Sequence, residues 1–262
     1  MITVDTIISM KKKHEKIVCL TAYDYPTAKI LDESGIDIIL VGDSAANVFA
    51  GENNTLPITM EEMLYHTRVV CHAVKNGFVT ADMPFLSYQT STNDAVYNAG
   101  RFLKVGACSV KLEGGFPIID TVRHLVDLGI PVMGHLGLTP QSIHKFGGYK
   151  LQGKTEEEAS ALIKDAKLLE SAGCFSLVLE KIPAALAKKV TEEISIPTIG
   201  IGAGPYCDGQ ILVLHDILGL FDNFTPKFVK KYARLADEIR RAVQQYRDDV
   251  KKGRYPDKEH SF

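Results

Sequence analysis

Short apolar runs alternate along this chain with longer stretches in which apolar residues recur at helical spacing. The runs cover 16–23, 36–43, 78–82, 108–113, 131–136, 175–180, 197–202 and 211–215. Most are continuously apolar rather than alternating, which predicts parallel strands covered on both faces. The stretches between them carry helix start signals. Thr59-Met60-Glu61-Glu62 and Thr155-Glu156-Glu157-Glu158 both have capping-box spacing, and Thr225-Pro226 offers an N-cap followed by proline. Beyond that pair, Phe228, Tyr232, Leu235, Ile239, Val243, Tyr246 and Val250 fall on one face of a long helix. Gly35, Gly77, Gly106, Gly129 and Gly173 stand where helices would close.

Eight strand–helix units with short connections fit either a doubly wound open sheet or a closed barrel. The count of eight and a length of 262 residues favour the barrel. The predicted fold is therefore α/β: a single TIM-type (βα)8 barrel with a long C-terminal helix, one domain over 1–262. Residues 1–14 would cap the barrel bottom or fray, and 253–262 would form a loose polar tail.

Composition narrows the function. With 30 Lys and Arg against 32 Asp and Glu, the net charge of -2 gives no general attraction to nucleic acid or an anionic membrane. No apolar run approaches a membrane span, and residues 1–13 lack the apolar stretch of a secretory signal. Cys19, Cys71, Cys108, Cys174 and Cys207 are scattered without CxxC spacing, which points to reduced thiols and a cytoplasmic location.

Barrel enzymes build their sites at the C-terminal ends of the strands. Here Asp43, Asp82, Glu113 and Glu180 stand at four such ends and His135 at a fifth. Carboxylates at the mouth of an apolar barrel repel one another and lose hydration, so something must offset them. Asp43, Asp82 and Glu113 come from three adjacent strands and can converge, and three hard oxygen donors suit Mg2+ or a similar cation. Lys111, two residues before Glu113, shares its face and would neutralise an anionic substrate. Ser44 and His135 are further donors. Taken singly, each Asp is better read as a cap or turn former, His135 as structural and Lys111 as reaching solvent. Their coincidence on successive strand ends is what those readings leave unexplained. The run Ile199-Gly200-Ile201-Gly202-Ala203-Gly204 suits a phosphate loop and close backbone packing equally. The long glycine-containing loop 134–153 fits a lid.

The motifs carry a resemblance. Thr21 to Tyr25 (TAYDY), Val41 to Ser44 (VGDS), Ala81 to Phe85 (ADMPF), Val110 to Gly115 (VKLEGG), Gly134 to Ser142 (GHLGLTPQS), Phe146 to Lys150 (FGGYK), Gly200 to Gly204 (GIGAG) and Asp208 to Val213 (DGQILV) stand together in one chain. On them the chain resembles the ketopantoate hydroxymethyltransferase family, also called 3-methyl-2-oxobutanoate hydroxymethyltransferase, from about residue 3 to 256. The resemblance implies a (βα)8 barrel with one Mg2+ per subunit held through Asp43, Asp82 and Glu113. It implies substrate contacts from Asp43, Ser44, Asp82 and Lys111, and Glu180 as proton acceptor; the residues themselves add His135 as a substrate-binding donor. It also implies 5,10-methylenetetrahydrofolate as one-carbon donor, a place in pantothenate synthesis, and a homo-oligomer, often a decamer. Residues 45–54 (AANVFAGENN) depart from the family's usual loop, which leaves the metal and base positions untouched.

Two other classes remain at this point. One is a lyase or mutase of the phosphoenolpyruvate-mutase type, which also uses acidic strand ends and Mg2+. Against it, this chain has Thr139-Pro140-Gln141-Ser142 where the lyases bring a reactive cysteine. The other is a non-catalytic barrel that binds a 2-oxo acid or metal. Retention of Asp43, Asp82, Glu113 and Glu180 counts against that.

Overall fold

The computed structural model describes residues 1–221 and 224–262. Eight parallel strands close into one barrel in sequence order: β1 (Ile17–Thr21), β2 (Ile38–Val41), β3 (Phe78–Asp82), β4 (Ser109–Glu113), β5 (Val132–Gly137), β6 (Ser176–Glu180), β7 (Thr198–Ile201) and β8 (Gly209–Leu212). The ladder between β8 and β1 completes the closure. Six strands fall within the runs read from the sequence, and β5 passes the end of its run, 131–136, by one residue at Gly137. The eighth is a correction: the run 211–215 holds only the end of β8, and Leu214 already opens a short helix. Gly209 opposes Ile17 in the ladder, where a side chain would crowd the Ile17 carbonyl. A glycine that reads as loop is thus the residue that lets the last strand close.

The helices follow in order: α1 (Val4–Lys12), α2 (Tyr25–Glu33), α3 (Ala45–Val48), α4 (Met60–Ala73), α5 (Thr92–Lys104), α6 (Ile119–Asp127), α7 (Ile143–Phe146), α8 (Glu156–Ser171), α9 (Ala184–Glu193), α10 (Leu214–Ile217) and α11 (Leu235–Lys251). Both anticipated capping boxes form, Thr59 with Glu62 and Thr155 with Glu158. Gly35, Gly106, Gly129 and Gly173 take positive φ after their helices, but Gly77 does not. Gly77 instead lets the chain run close to the Ile36 carbonyl, 3.2 Å from where a Cβ would stand.

The segment 1–14 is a helix, not a frayed end. Ile7 of α1 is fully buried in one cluster with Ile17, Ile38, Phe78, Met133, Phe175, Val178 and Ile199, which plugs the barrel. Side chains two apart on a strand share a face. From that plug, the interior column therefore runs from Phe78 through Thr80 to Asp82, and from Met133 to His135. Thr80 and Ser109 bond at 2.9 Å across two strands, Asp82 is paired with Lys111, and Glu113 with His135. The inside of the barrel is apolar at the N-terminal ends of the strands and ionic at the C-terminal ends.

Two compact units divide the chain, Met1–Val213 and Leu214–Phe262. The first contains the whole barrel. The second contains α10 and α11. The long C-terminal helix is present, but it starts at Leu235 rather than after Thr225-Pro226, so Phe228 and Tyr232 lie before it. Its Ile239, Val243, Tyr246 and Val250 are exposed. In the tail, Tyr255 packs edge-on against Tyr246 with ring centroids 5.6 Å apart. Among the described residues no helix is long and apolar enough to cross a membrane, and all five cysteines are free thiols.

Candidate active site

The ionic end of the barrel gathers the residues that the strand ends suggested. Lys111 Nζ lies 2.8 Å from Asp82 Oδ1, 3.8 Å from Glu113 Oε1 and 3.2 Å from His135 Nδ1. The His135 ring stands between two carboxylates, with Nδ1 3.4 Å from Glu113 Oε1 and Nε2 3.3 Å from Glu180 Oε2. Asp43 joins through its backbone, whose N–H donates to Asp82 Oδ2 at 3.0 Å. Its carboxylate accepts from Gln141 Nε2 at 3.0 Å. Ser44 follows, with Oγ 2.8 Å from the Tyr23 hydroxyl. Asp43, Asp82, Lys111, Glu113 and His135 are all buried, while the Glu180 side chain keeps 15% exposure and is the most accessible acid of the set.

Strand register explains most of this convergence. Asp82, Lys111, Glu113, His135 and Glu180 all occupy interior positions near the C-terminal ends. Asp43 does not, because β2 ends at Val41 and the chain then turns. Gly42 permits that turn: a Cβ there would stand 2.7 Å from Ser44 Oγ and 3.5 Å from Asp82 Oδ2.

Burial and mutual repulsion set the charges. Burial raises the Asp43 carboxyl well above the usual carboxylate range, and the neighbouring Asp82 and Glu113 charges add to it. Asp82 is also raised, because burial outweighs the Lys111 ammonium beside it. Lys111 is raised too, since the three surrounding carboxylates overcome its own desolvation. For Glu113 the balance is opposite: burial pushes up, but His135, Lys111 and the Gln141 N–H together bring it below its ordinary value. Burial and the Lys111 charge pull the His135 imidazole down, and Glu113 and Glu180 outweigh them, holding it at about 9. The site is thus short of positive charge. Asp82 Oδ1 has the Lys111 ammonium as its partner at 2.8 Å.

That donor set fits a hard divalent cation in its chemistry: buried carboxylate oxygens, two of them raised by burial and by neighbouring carboxylate charge. Among the described residues no three His, Cys, Asp or Glu side chains already stand at metal-holding spacing. Mg2+ does not require such a cage, because it keeps several waters and takes one or two carboxylates plus substrate oxygens.

A family model described as ketopantoate hydroxymethyltransferase matches residues 1–258. The chain belongs to the ketopantoate hydroxymethyltransferase family. Relatives of that family named 3-methyl-2-oxobutanoate hydroxymethyltransferase include one from Geobacter metallireducens, 59% identical over 99% of this chain and 98% of the relative. Another, from Syntrophus aciditrophicus, is 56% identical over 100% of this chain and 96% of its own. Solved structures with the same fold are more distant. Phosphonopyruvate hydrolase in complex with oxalate and Mg2+ superposes with a TM-score of 0.62 at 12% identity, covering 97% of this chain and 87% of that one. A 2,3-dimethylmalate lyase, of the PEP mutase/isocitrate lyase superfamily, gives 0.59 at 15% identity, covering 100% and 93%. At such identities the likeness is one of fold.

The seven residues nominated from the sequence of this ketopantoate hydroxymethyltransferase family member, Asp43, Ser44, Asp82, Lys111, Glu113, His135 and Glu180, stand together at one end of the barrel, and the structure adds the side chains that hold them. Gln141, Tyr88 and Tyr23 went unassigned. Tyr88 lies under the site, its hydroxyl 3.0 Å from the Glu113 carbonyl and 2.9 Å from Gln141 Oε1. The loop after β5 is only partly lid-like: Leu138, Thr139, Gln141 and Ile143 are buried in the mouth, while Tyr149 and Leu151 are exposed. The Tyr149 hydroxyl is raised by burial and by the Asp43, Glu180 and Glu113 charges. The loop's far end is tied beside Glu180, where Gln152 N–H donates to the Lys181 carbonyl at 3.0 Å and Lys181 Nζ to the Tyr149 carbonyl. In the GxGxG run the packing role is visible: a Cβ on Gly204 would overlap Ala184 Cβ.

Proposed function

We propose that this protein transfers a hydroxymethyl unit from 5,10-methylenetetrahydrofolate to 3-methyl-2-oxobutanoate, giving ketopantoate for pantothenate synthesis. The whole-chain family match supports the reaction, and one observation carries the chemistry: a buried set of acids around Lys111 and His135, with Glu180 alone partly open to a ligand.

Asp43, Asp82 and Glu113 are the residues that would hold Mg2+, one per subunit. When bound there, the cation supplies Lewis-acid polarisation of a 2-oxo acid's carbonyl. Asp43, Ser44 and Asp82 position the substrate, and Lys111 offers its ammonium to the substrate's carboxylate. Glu180 takes the proton from C3, which leaves an enolate. His135 and Lys111 stabilise the oxygen as its charge develops, from a site where water is largely excluded. The His135 Nε2, 3.3 Å from Glu180 Oε2, also orients that carboxylate. Water adds to the folate-derived iminium and its C–N bond breaks, releasing tetrahydrofolate and formaldehyde; the enolate carbon attacks the formaldehyde carbon, and the resulting alkoxide takes up the proton held by Glu180. The same reading carries the cytoplasm as compartment and a homo-oligomer, a decamer, as assembly, with small molecules rather than nucleic acid or membrane as partners.

The test omits the folate. In D2O with Mg2+, the protein should exchange the C3 proton of 3-methyl-2-oxobutanoate, followed by NMR. Glu180→Gln should abolish exchange by at least ~100-fold while substrate still binds. Exchange at the wild-type rate in that variant would require a different base.

A further inference from the structure

Gln141 touches two of the three carboxylates proposed to hold the cation. Its backbone N–H donates to Glu113 Oε2 at 2.9 Å, and its side-chain Nε2 donates to Asp43 Oδ2 at 3.0 Å and to the Met83 carbonyl at 3.0 Å. Its Oε1 faces the Tyr88 hydroxyl at 2.9 Å and Gln89 Nε2 at 3.2 Å. A primary amide has two N–H donors and an oxygen with two lone pairs. Both N–H donors are matched and Oε1 faces two donors, the Tyr88 proton being shared with the Glu113 carbonyl, and the match fixes which end is nitrogen: reversing the amide would set its oxygen against a carboxylate and a carbonyl. Gln141 is buried, so no water replaces these partners cheaply.

Asp43 and Glu113 come from different strands, and Asp43 leaves the ladder before it reaches the site. No barrel hydrogen bond fixes the distance between their carboxylates. One residue of the β5 loop, at the turn Pro140–Ser142, spans both. We infer that Gln141 is a positioning residue that holds the Asp43 and Glu113 carboxylates in cation-binding orientation, so that the β5 loop is a working part of the metal site. This rests on the reading that those carboxylates carry the cation. Hydrogen bonds of this kind orient ligand oxygens and leave their other lone pairs for the metal. Tyr88 braces Gln141 through Oε1 and also meets the Glu113 backbone, accepting from its N–H at 3.1 Å.

The test titrates the folded, substrate-free protein with Mn2+ and reads free Mn2+ by EPR, alongside the thermal midpoint. Asp43→Asn serves as the ligand control. Gln141→Met keeps the length and removes the amide, and should weaken Mn2+ binding about 10- to 100-fold. Tyr88→Phe, which keeps Gln141 itself, should weaken it in the same direction by about fivefold. A merely structural glutamine would lower the midpoint and leave the affinity of the folded fraction unchanged. Should Gln141→Met not fold, Gln141→Asn, which keeps an amide but withdraws it from Asp43, decides, because Tyr88→Phe also disturbs the Glu113 backbone. Wild-type affinity in the folded variants, with Asp43→Asn impaired, overturns the role of Gln141 alone. Absence of Mn2+ binding by the wild-type protein overturns the cation reading and this inference with it.

Discussion

Replacing Lys111 by methionine removes the cation around which the buried acids are arranged. Its Nζ stands 2.8 Å from Asp82 Oδ1 and 3.8 Å from Glu113 Oε1, and both partners are buried. At an effective dielectric of about 20 these two contacts are worth about 6 and 4 kcal/mol before desolvation. Burying the ammonium cancels much of that, and breaking a buried pair so that its acids stay uncompensated costs about 3–5 kcal/mol net. For a chain of this size the thermal midpoint should fall by about 10 °C. The sign with pH follows from the carboxyls. Asp43 and Asp82 are already raised above their unfolded values, and loss of Lys111 raises them further. A carboxyl whose folded pKa lies above its unfolded value binds more protons when folded, so stability grows as pH falls through the folded value. The deficit of Lys111→Met should therefore be largest at neutral pH, shrink towards the carboxylate range, and shrink again on adding Mg2+. Thermal unfolding followed by circular dichroism from pH 4 to 8, with and without Mg2+, measures it. A variant as stable as wild type at neutral pH without divalent cation would refute the view that Lys111 balances these acids.

Two further outcomes test the scaffold. The Asp32 carboxylate accepts from the Gly77, Asn76 and Lys75 backbone N–H groups at 2.7, 2.9 and 3.0 Å, pinning the turn before β3, and these bonds outweigh burial to lower it from the ordinary 3.8. Asp32→Ala should destabilise by about 3 kcal/mol in urea unfolding at neutral pH. Because the folded value is depressed, that stabilisation is present above 3.8 and lost as pH falls through the folded value, so the difference between variant and wild type should narrow there. At Gly137, φ is +93 and a Cβ would overlap the Glu180 carbonyl oxygen. Gly137→Ala should destabilise by about 2 kcal/mol and slow C3 proton exchange by displacing Glu180; undiminished exchange would show that the Glu180 backbone tolerates the shift.

What was legible in the chain was what strand and helix periods encode locally. The run 78–82 matches β3 at both ends, because a continuous apolar stretch stops at Asp82. Lys111 and Glu113 were assignable to one face because side chains two apart always are. The capping boxes at Thr59 and Thr155 formed because each needs only four consecutive residues. Local patterns failed where a neighbour in space overrode them. Gly209 reads as loop and is strand, because Ile17 pairs with it. Thr225-Pro226 reads as a helix start, and the helix begins at Leu235.

The chemistry divides in the same way. Residue type and strand-end position were enough to nominate Asp43, Asp82, Lys111, Glu113, His135 and Glu180. Barrel closure and register decided that Lys111 meets Asp82, that His135 lies between Glu113 and Glu180, and that Gln141 reaches Asp43 from 98 residues away. A strand's period says which way a side chain points, but not how far along the barrel axis its neighbour stands. That distance belongs to the ladder between strands, and an ionic site within 4 Å contacts is set by it.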